Sequence, residues 1–135
     1  MKYYHGSSQP DLIVDPNRAS RYGFPAFFLS SNLDLAIQYA WHNAALEEKS
    51  TAGFVYEFEL ELIAQVVDFK NEITHNSHFR NMIYRLESQK HLAVRIINTL
   101  DYPSEKFKQK HYSDILIVFD FRLLKDYHRI GTVNL

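Results

Sequence analysis

The chain has 135 residues, 46% of them hydrophobic and 15% aromatic, which is enough for one buried core and too few for two ordinary domains, so a single domain over 1–135 is expected. Its 15 Lys and Arg against 16 Asp and Glu leave a formal charge of -1, which encodes no general attraction to nucleic acid or to an anionic membrane. The absence of cysteine excludes a disulfide scaffold, thiolate metal sites and a cysteine nucleophile.

Residues 1–4 have the look of a short strand and carry no basic, apolar and small-residue succession of a secretion leader; with no apolar run near 18 residues anywhere, a soluble cytoplasmic protein is expected. Residues 7–25, with Pro10, Pro16, Asn17 and Gly23, are rich in turn formers and read as an irregular loop around a short helix. The apolar run "AFFLSS" is of strand length. After it, "SNLDLAIQYAWHNAALEEK" opens on Ser31 and Asp34, a capping box with Asp in place of Glu, and Leu33, Ala36, Ile37, Ala40, Trp41, Ala44 and Ala45 form one apolar helix face.

Gly53 interrupts, and "FVYEFELEL" alternates as a strand: Phe54, Tyr56, Phe58, Leu60 and Leu62 point one way, Val55, Glu57, Glu59 and Glu61 the other. "QVVDF" reads as a further strand and "NEITHNSHFRNMIYRLESQKH" as a helix with Ile73, Phe79, Met82, Ile83 and Leu86 on its apolar face. Two strands, "LAVRIINTL" and "DILIVFDF", follow on either side of a polar loop over 101–113, and "HRIGTVNL" closes the sheet as an edge strand. Strands at both ends with helices between them predict an α+β fold.

Chemistry-bearing residues are sparse. In "HGS", His5 and Gly6 form a workable nucleotide-contact unit in which the glycine lets a ligand approach the backbone, or else a surface turn with Gly6 at positive φ. Tyr39 lies beside the helix stripe, as a core-flanking aromatic or as a ring able to stack on a planar ligand. Glu57, Glu59 and Glu61 read as the wet face of a sheet, and Asp114 and Asp120 bracket an apolar strand where an acid at a cleft mouth would stabilise a cation. His75 and His78 lack a third metal ligand and read as a helix start. Lys106, Lys108 and Lys110 read as a solvated loop.

Taken in order, "YYHGS", "AFFLSSNLDLAIQYA" and "SDILIVFDFRLL" resemble the three motif strands of the ADP-ribosyltransferase family, in its histidine–tyrosine–acid branch related to diphtheria toxin and the poly(ADP-ribose) polymerases, small phage or bacterial type. The resemblance spans nearly the whole chain. It implies a split β-sandwich of two small sheets with inserted helices, and NAD as substrate. It also implies that His5 bonds a ribose hydroxyl, that Gly6, Ser7 and Ser30 belong to the NAD site, and that Phe28 and Tyr39, eleven residues apart, stack on the nicotinamide. Phe28 stands where the family has its first tyrosine. The acid that supports charge on the ribose is expected at Asp114, one residue out of the family's register, or at Glu57 or Glu59 on a neighbouring strand; one residue reverses the face in a strand.

The activity so implied is mono-ADP-ribosylation of a macromolecular acceptor, protein ahead of nucleic acid, by an effector or toxin with a cognate antitoxin or host target and no membrane or metal. The alternative is a catalytically silent module of the same fold that binds a partner protein or nucleotide. A tRNA 2'-phosphotransferase shares the fold, but it calls for basic residues around the site, and the sequence offers no clear set.

Overall fold

In a computed structural model, which describes residues 1–47, 49–61, 65–104 and 106–135, the chain is an α+β fold. The strands are β1 (Lys2–Ser7), β2 (Phe27–Ser30), β3 (Ala52–Glu59), β4 (Gln65–Ile73), β5 (Ala93–Asp101), β6 (His111–Val118) and β7 (Tyr127–Asn134). The helices are α1 (Leu33–Leu46), α2 (Ser77–Ser88) and a 3₁₀ turn at Phe121–Leu123. The parts of the sequence expectations that fall on Glu48, Leu62 and Glu105 lie outside the described residues.

The strands hydrogen-bond in the order β4-β5-β6-β2-β1-β3-β7, antiparallel throughout except for β4 and β5, whose parallel pairing spans α2. The link between β1 and β2 is a single register pair, Tyr4 with Ser30, whereas β1 pairs with β3 along six positions. The sheet therefore falls into two halves, β4-β5-β6-β2 and β1-β3-β7, that meet at one pair.

Alternation decides what each half buries. On the helix side, α2 packs Phe79, Met82, Ile83 and Leu86 against Val94, Ile96, Ile115 and Ile117, and Tyr22 joins them from the loop after β1. On the other side Tyr3, Leu29, Phe58, Leu116 and Val118 form a core drawn from both halves, with the Phe27 and Phe58 rings 5.5 Å apart. The alternation expected of β3 holds for its described residues: Phe54, Tyr56, Phe58 and Leu60 join this core, and Val55 faces α1.

Several expectations are corrected. Residues 8–26 form turns and no helix. The cap of α1 is Asn32, whose side chain accepts from Leu35 N, while Ser31 Oγ accepts from Asp114 N. Only part of the expected α1 stripe is buried: Ala36, Ala40 and Ala44 face inward together with Leu35, which was not in the stripe, and Leu33, Ile37 and Trp41 remain about 40% exposed. Gly53 lies within β3 instead of interrupting it. Residues 71–73, expected in the second helix, extend β4 past a kink at Lys70 and Asn71 (φ 53° and 61°), and Asn76 caps α2. β6 starts at His111, so Asp114 lies inside the strand and not at its head.

Candidate active site

His5, Gly6 and Ser7 are the last three residues of β1, where β1 and β2 have already parted. The gap is bridged by a side chain: His5 Nδ1 is 3.0 Å from the Phe28 carbonyl oxygen, where the ladder between the strands would otherwise continue. That carbonyl can only accept, so Nδ1 carries the proton and Nε2 keeps its lone pair. Nε2 has no partner among the described residues. Burial pushes the imidazole down to about 4, against the bond to Phe28, so the ring is neutral at pH 7.

On the helix side of this gap lies a cavity of about 290 Å³, lined by His5, Gly6, Phe28, Ser30, Tyr39 and Asp101 among others. A second hollow of about 350 Å³, lined by Ser7, Gln9 and Arg18, shares His5, Gly6, Ser20 and Asn43 with the first. One cleft thus runs past His5. Five of the residues singled out in the sequence (His5, Gly6, Phe28, Ser30 and Tyr39) meet in the first cavity, and Ser7 falls in the second.

The positive φ expected as one reading of Gly6 is not found, and the close packing of α1 gives it a reason to be glycine apart from any ligand. A Cβ there would lie 2.2 Å from the Ala36 carbonyl oxygen and 2.4 Å from Ala40 N. Helix α1, made narrow by Ala36 and Ala40, lies directly on the strand, and the Gly6 carbonyl accepts from Asn43 Nδ2 at 3.0 Å. Ser30 Oγ is bound to Ser113 Oγ at 2.6 Å.

None of the acids expected from the sequence reaches the cavity: Glu59 Oε1 is held by the amine of Met1 at 2.9 Å. Asp114 points to the opposite face of β6, where its Oδ2 takes Arg95 Nη2 at 2.9 Å and Nε at 3.2 Å. Glu57 is held by Lys2 Nζ at 3.2 Å and His128 Nε2 at 3.5 Å. The carboxylate that lines the cavity is Asp101, only 6% exposed. It accepts from Thr74 Oγ1 (2.6 Å), the Tyr102 amide (2.8 Å) and the Tyr39 hydroxyl (3.0 Å), with His75 Nε2 3.5 Å away. Burial, and then the Asp101 charge, hold the Tyr39 phenol well above its ordinary value, so it stays a donor. Asp101 raises the His75 imidazole, whose Nε2–H also donates to the Tyr102 carbonyl.

Asp101 reaches the cavity because of a bulge. Ile96 pairs with Ile115 and Thr99 with Ser113, so three steps on β5 match two on β6, with Asn98 at φ 58° taking up the extra residue. Counted by plain alternation from Ile96, Asp101 points away from the helices; past the bulge, Thr99 and Asp101 share the cavity face with Ser113 and His111. An Asn ahead of a lone buried-strand acid was the available signal, since Asn tolerates positive φ.

His75 and His78 diverge, His75 to Asp101 and His78 Nδ1 to Glu72 Oε2 at 3.0 Å, and no three His, Asp or Glu side chains gather around a metal-sized site among the described residues. No helix among them is long and apolar enough to cross a membrane. Comparison with protein-family models, curated proteins and solved structures finds no match to the chain.

Proposed function

We propose that the protein is an NAD-dependent mono-ADP-ribosyltransferase acting on a macromolecular acceptor. The observation that carries this reading is convergence: His5, Phe28, Ser30 and Tyr39, drawn from two separate motif segments, line one cavity together with a buried carboxylate. A sheet whose two halves meet at a single pair is the arrangement a split β-sandwich would have.

NAD fits the groups present. The Phe28 and Tyr39 rings offer walls for the nicotinamide. The neutral His5, oriented by Phe28, offers Nε2 to a ribose hydroxyl. Arg21 in the first cavity and Arg18 in the second supply cations for phosphate oxygens. In the transfer, the bond between ribose C1' and the nicotinamide nitrogen breaks and its electron pair leaves with nicotinamide; the acceptor's nucleophile bonds to C1' and releases its proton to solvent. The chain contributes position and charge, with Asp101 in place of Asp114 or Glu57 as the negative group beside the developing cation.

The test is release of nicotinamide from labelled NAD in the presence of cell extract. His5→Gln, whose amide can keep the bond to the Phe28 carbonyl, should lower the rate by about 100-fold, the scale of a lost positioning contact. Equal rates for the two proteins would overturn the reading. A silent nucleotide-binding module is favoured by one observation, that all Asp101 contacts are with neighbouring side chains and backbone; calorimetric binding of NAD without turnover would select it.

A further inference from the structure

Cations accumulate outward from Asp101 in a chain of net charge -1. His75 stands 3.5 Å from the carboxylate, and Lys110 Nζ lies 5.1 Å from the centre of the ring of Tyr102, the next residue. Arg21 lines the cavity and acts electrostatically on both Tyr39 and His75, and Lys106 and His75 act on His42. The loop that carries Lys106, Lys108 and Lys110 is fixed to α1 by Phe107, whose ring stands edge-on to Trp41 at 5.8 Å and to His42 at 5.9 Å. Arg21 and the three lysines are exposed and form no ion pair with a described carboxylate. Beside them Trp41 is 42% exposed, an indole braced by the loop with surface left open.

We propose that this face, made by the loop between β5 and β6 and the outer side of α1, binds single-stranded nucleic acid and brings it to the mouth of the cavity. The binding stands on the side chains just named; its further role as the acceptor of ADP-ribose rests on the function proposed above. Cations with no ion pair among the described residues and an exposed aromatic ring are the two things a single strand uses, phosphates on the first and an unpaired base on the second. A duplex hides its bases from Trp41, and an acidic polypeptide has no base to stack there. The near-neutral total charge conceals the patch because exposed acids on other parts of the chain, such as Glu61 after β3, Glu87 on α2 and Asp126 before β7, offset it in the sum.

Fluorescence anisotropy tests this with fluorescein-labelled 12-nucleotide oligo-dT and oligo-rU, the oligo-dT duplex, and polyglutamate of matched charge. The single strands should bind more tightly than the duplex or polyglutamate, with affinity falling as salt rises. Replacing Lys106, Lys108 and Lys110 by alanine should flatten the slope of log affinity against log salt by about 2, at roughly 0.7 per phosphate contact. Trp41→Ala should weaken binding about tenfold and leave that slope unchanged, as expected for lost stacking. Absence of single-strand binding at low salt, equal binding of polyglutamate, or a triple lysine variant that binds as the wild type does would overturn the proposal. Calorimetry with NAD separates the two claims: oligonucleotide binding without NAD binding keeps this surface and removes the transferase, and the converse removes the surface alone.

Discussion

Asp101 gathers three donors from three places in the chain: Tyr39 on α1, Thr74 after β4 and its own neighbour Tyr102 after β5. Hydrogen bonds to a buried charge are the stronger kind, and an amide in its place offers one acceptor oxygen and turns an NH₂ toward a donor. Asp101→Asn should therefore cost about 2 kcal/mol in denaturant unfolding, and Tyr39→Phe about 1 kcal/mol, because the second change removes one donor and keeps the ring. A Tyr39→Phe protein that also retains NAD affinity would match a stacking role for the ring; loss of affinity equal to that of Tyr39→Ala would contradict it. Tyr39 was legible in the sequence because it stands at a fixed distance from Phe28 beside a helical stripe. Asp101 was not, because its face depends on where Asn98 inserts a residue into the ladder, and the ladder has two strands.

At the scale of elements, α1 lies directly against the strands beneath it. A Cβ on Gly53 would lie 2.1 Å from the Ala40 carbonyl oxygen, and one on Gly6 2.2 Å from that of Ala36. Both neighbours are helix backbone, which has no rotamer to yield, so the helix must lift from the sheet. Gly6→Ala and Gly53→Ala should each destabilise by about 2 kcal/mol or more, toward the upper range for overpacking, read as a lower denaturant midpoint. Gly131→Ala, where a Cβ meets nothing within 4 Å, should stay within about 0.5 kcal/mol of wild type. The helix and its alanines were evident from periodicity. That the alanines at 36 and 40 match glycines at 6 and 53 was not, because a small residue on a strand looks the same whether a turn, a ligand or a helix needs the space.

Across the whole molecule, two histidines bias stability in opposite directions with pH. His5 titrates near 4 when folded and near 6.5 when unfolded, so between those values the unfolded chain binds more protons and stability falls as pH falls. Its partial accessibility from the cleft leaves a loss on the order of 2 kcal/mol between pH 7 and 4. His75 is raised by Asp101, so its contribution is complete below about 6.5 and is lost as pH rises through its folded value. Melting temperature should thus peak near neutrality. His5→Gln should make the acid limb shallower and His75→Asn should remove part of the alkaline decline; an acid limb unchanged in His5→Gln would show that His5 is not the buried neutral base described.

What the sequence by itself determined follows from short-range rules. The alternating faces of β3, the amphipathic stretch that becomes α2, and the placing of Phe28 on a strand and Tyr39 on a helix are all set within a few residues by period and composition. Only the tertiary structure decided which acid meets them. Asp114 and Asp101 are both carboxylates near the meeting of β5 and β6, and the sequence favoured Asp114. A one-residue bulge turns Asp101 inward, and the unbroken alternation of β6, in which Asp114 lies opposite that bulge, turns Asp114 to Arg95 on the far side. Which face a strand residue takes is settled by its neighbour's register, and register is a property of two strands brought together by the fold.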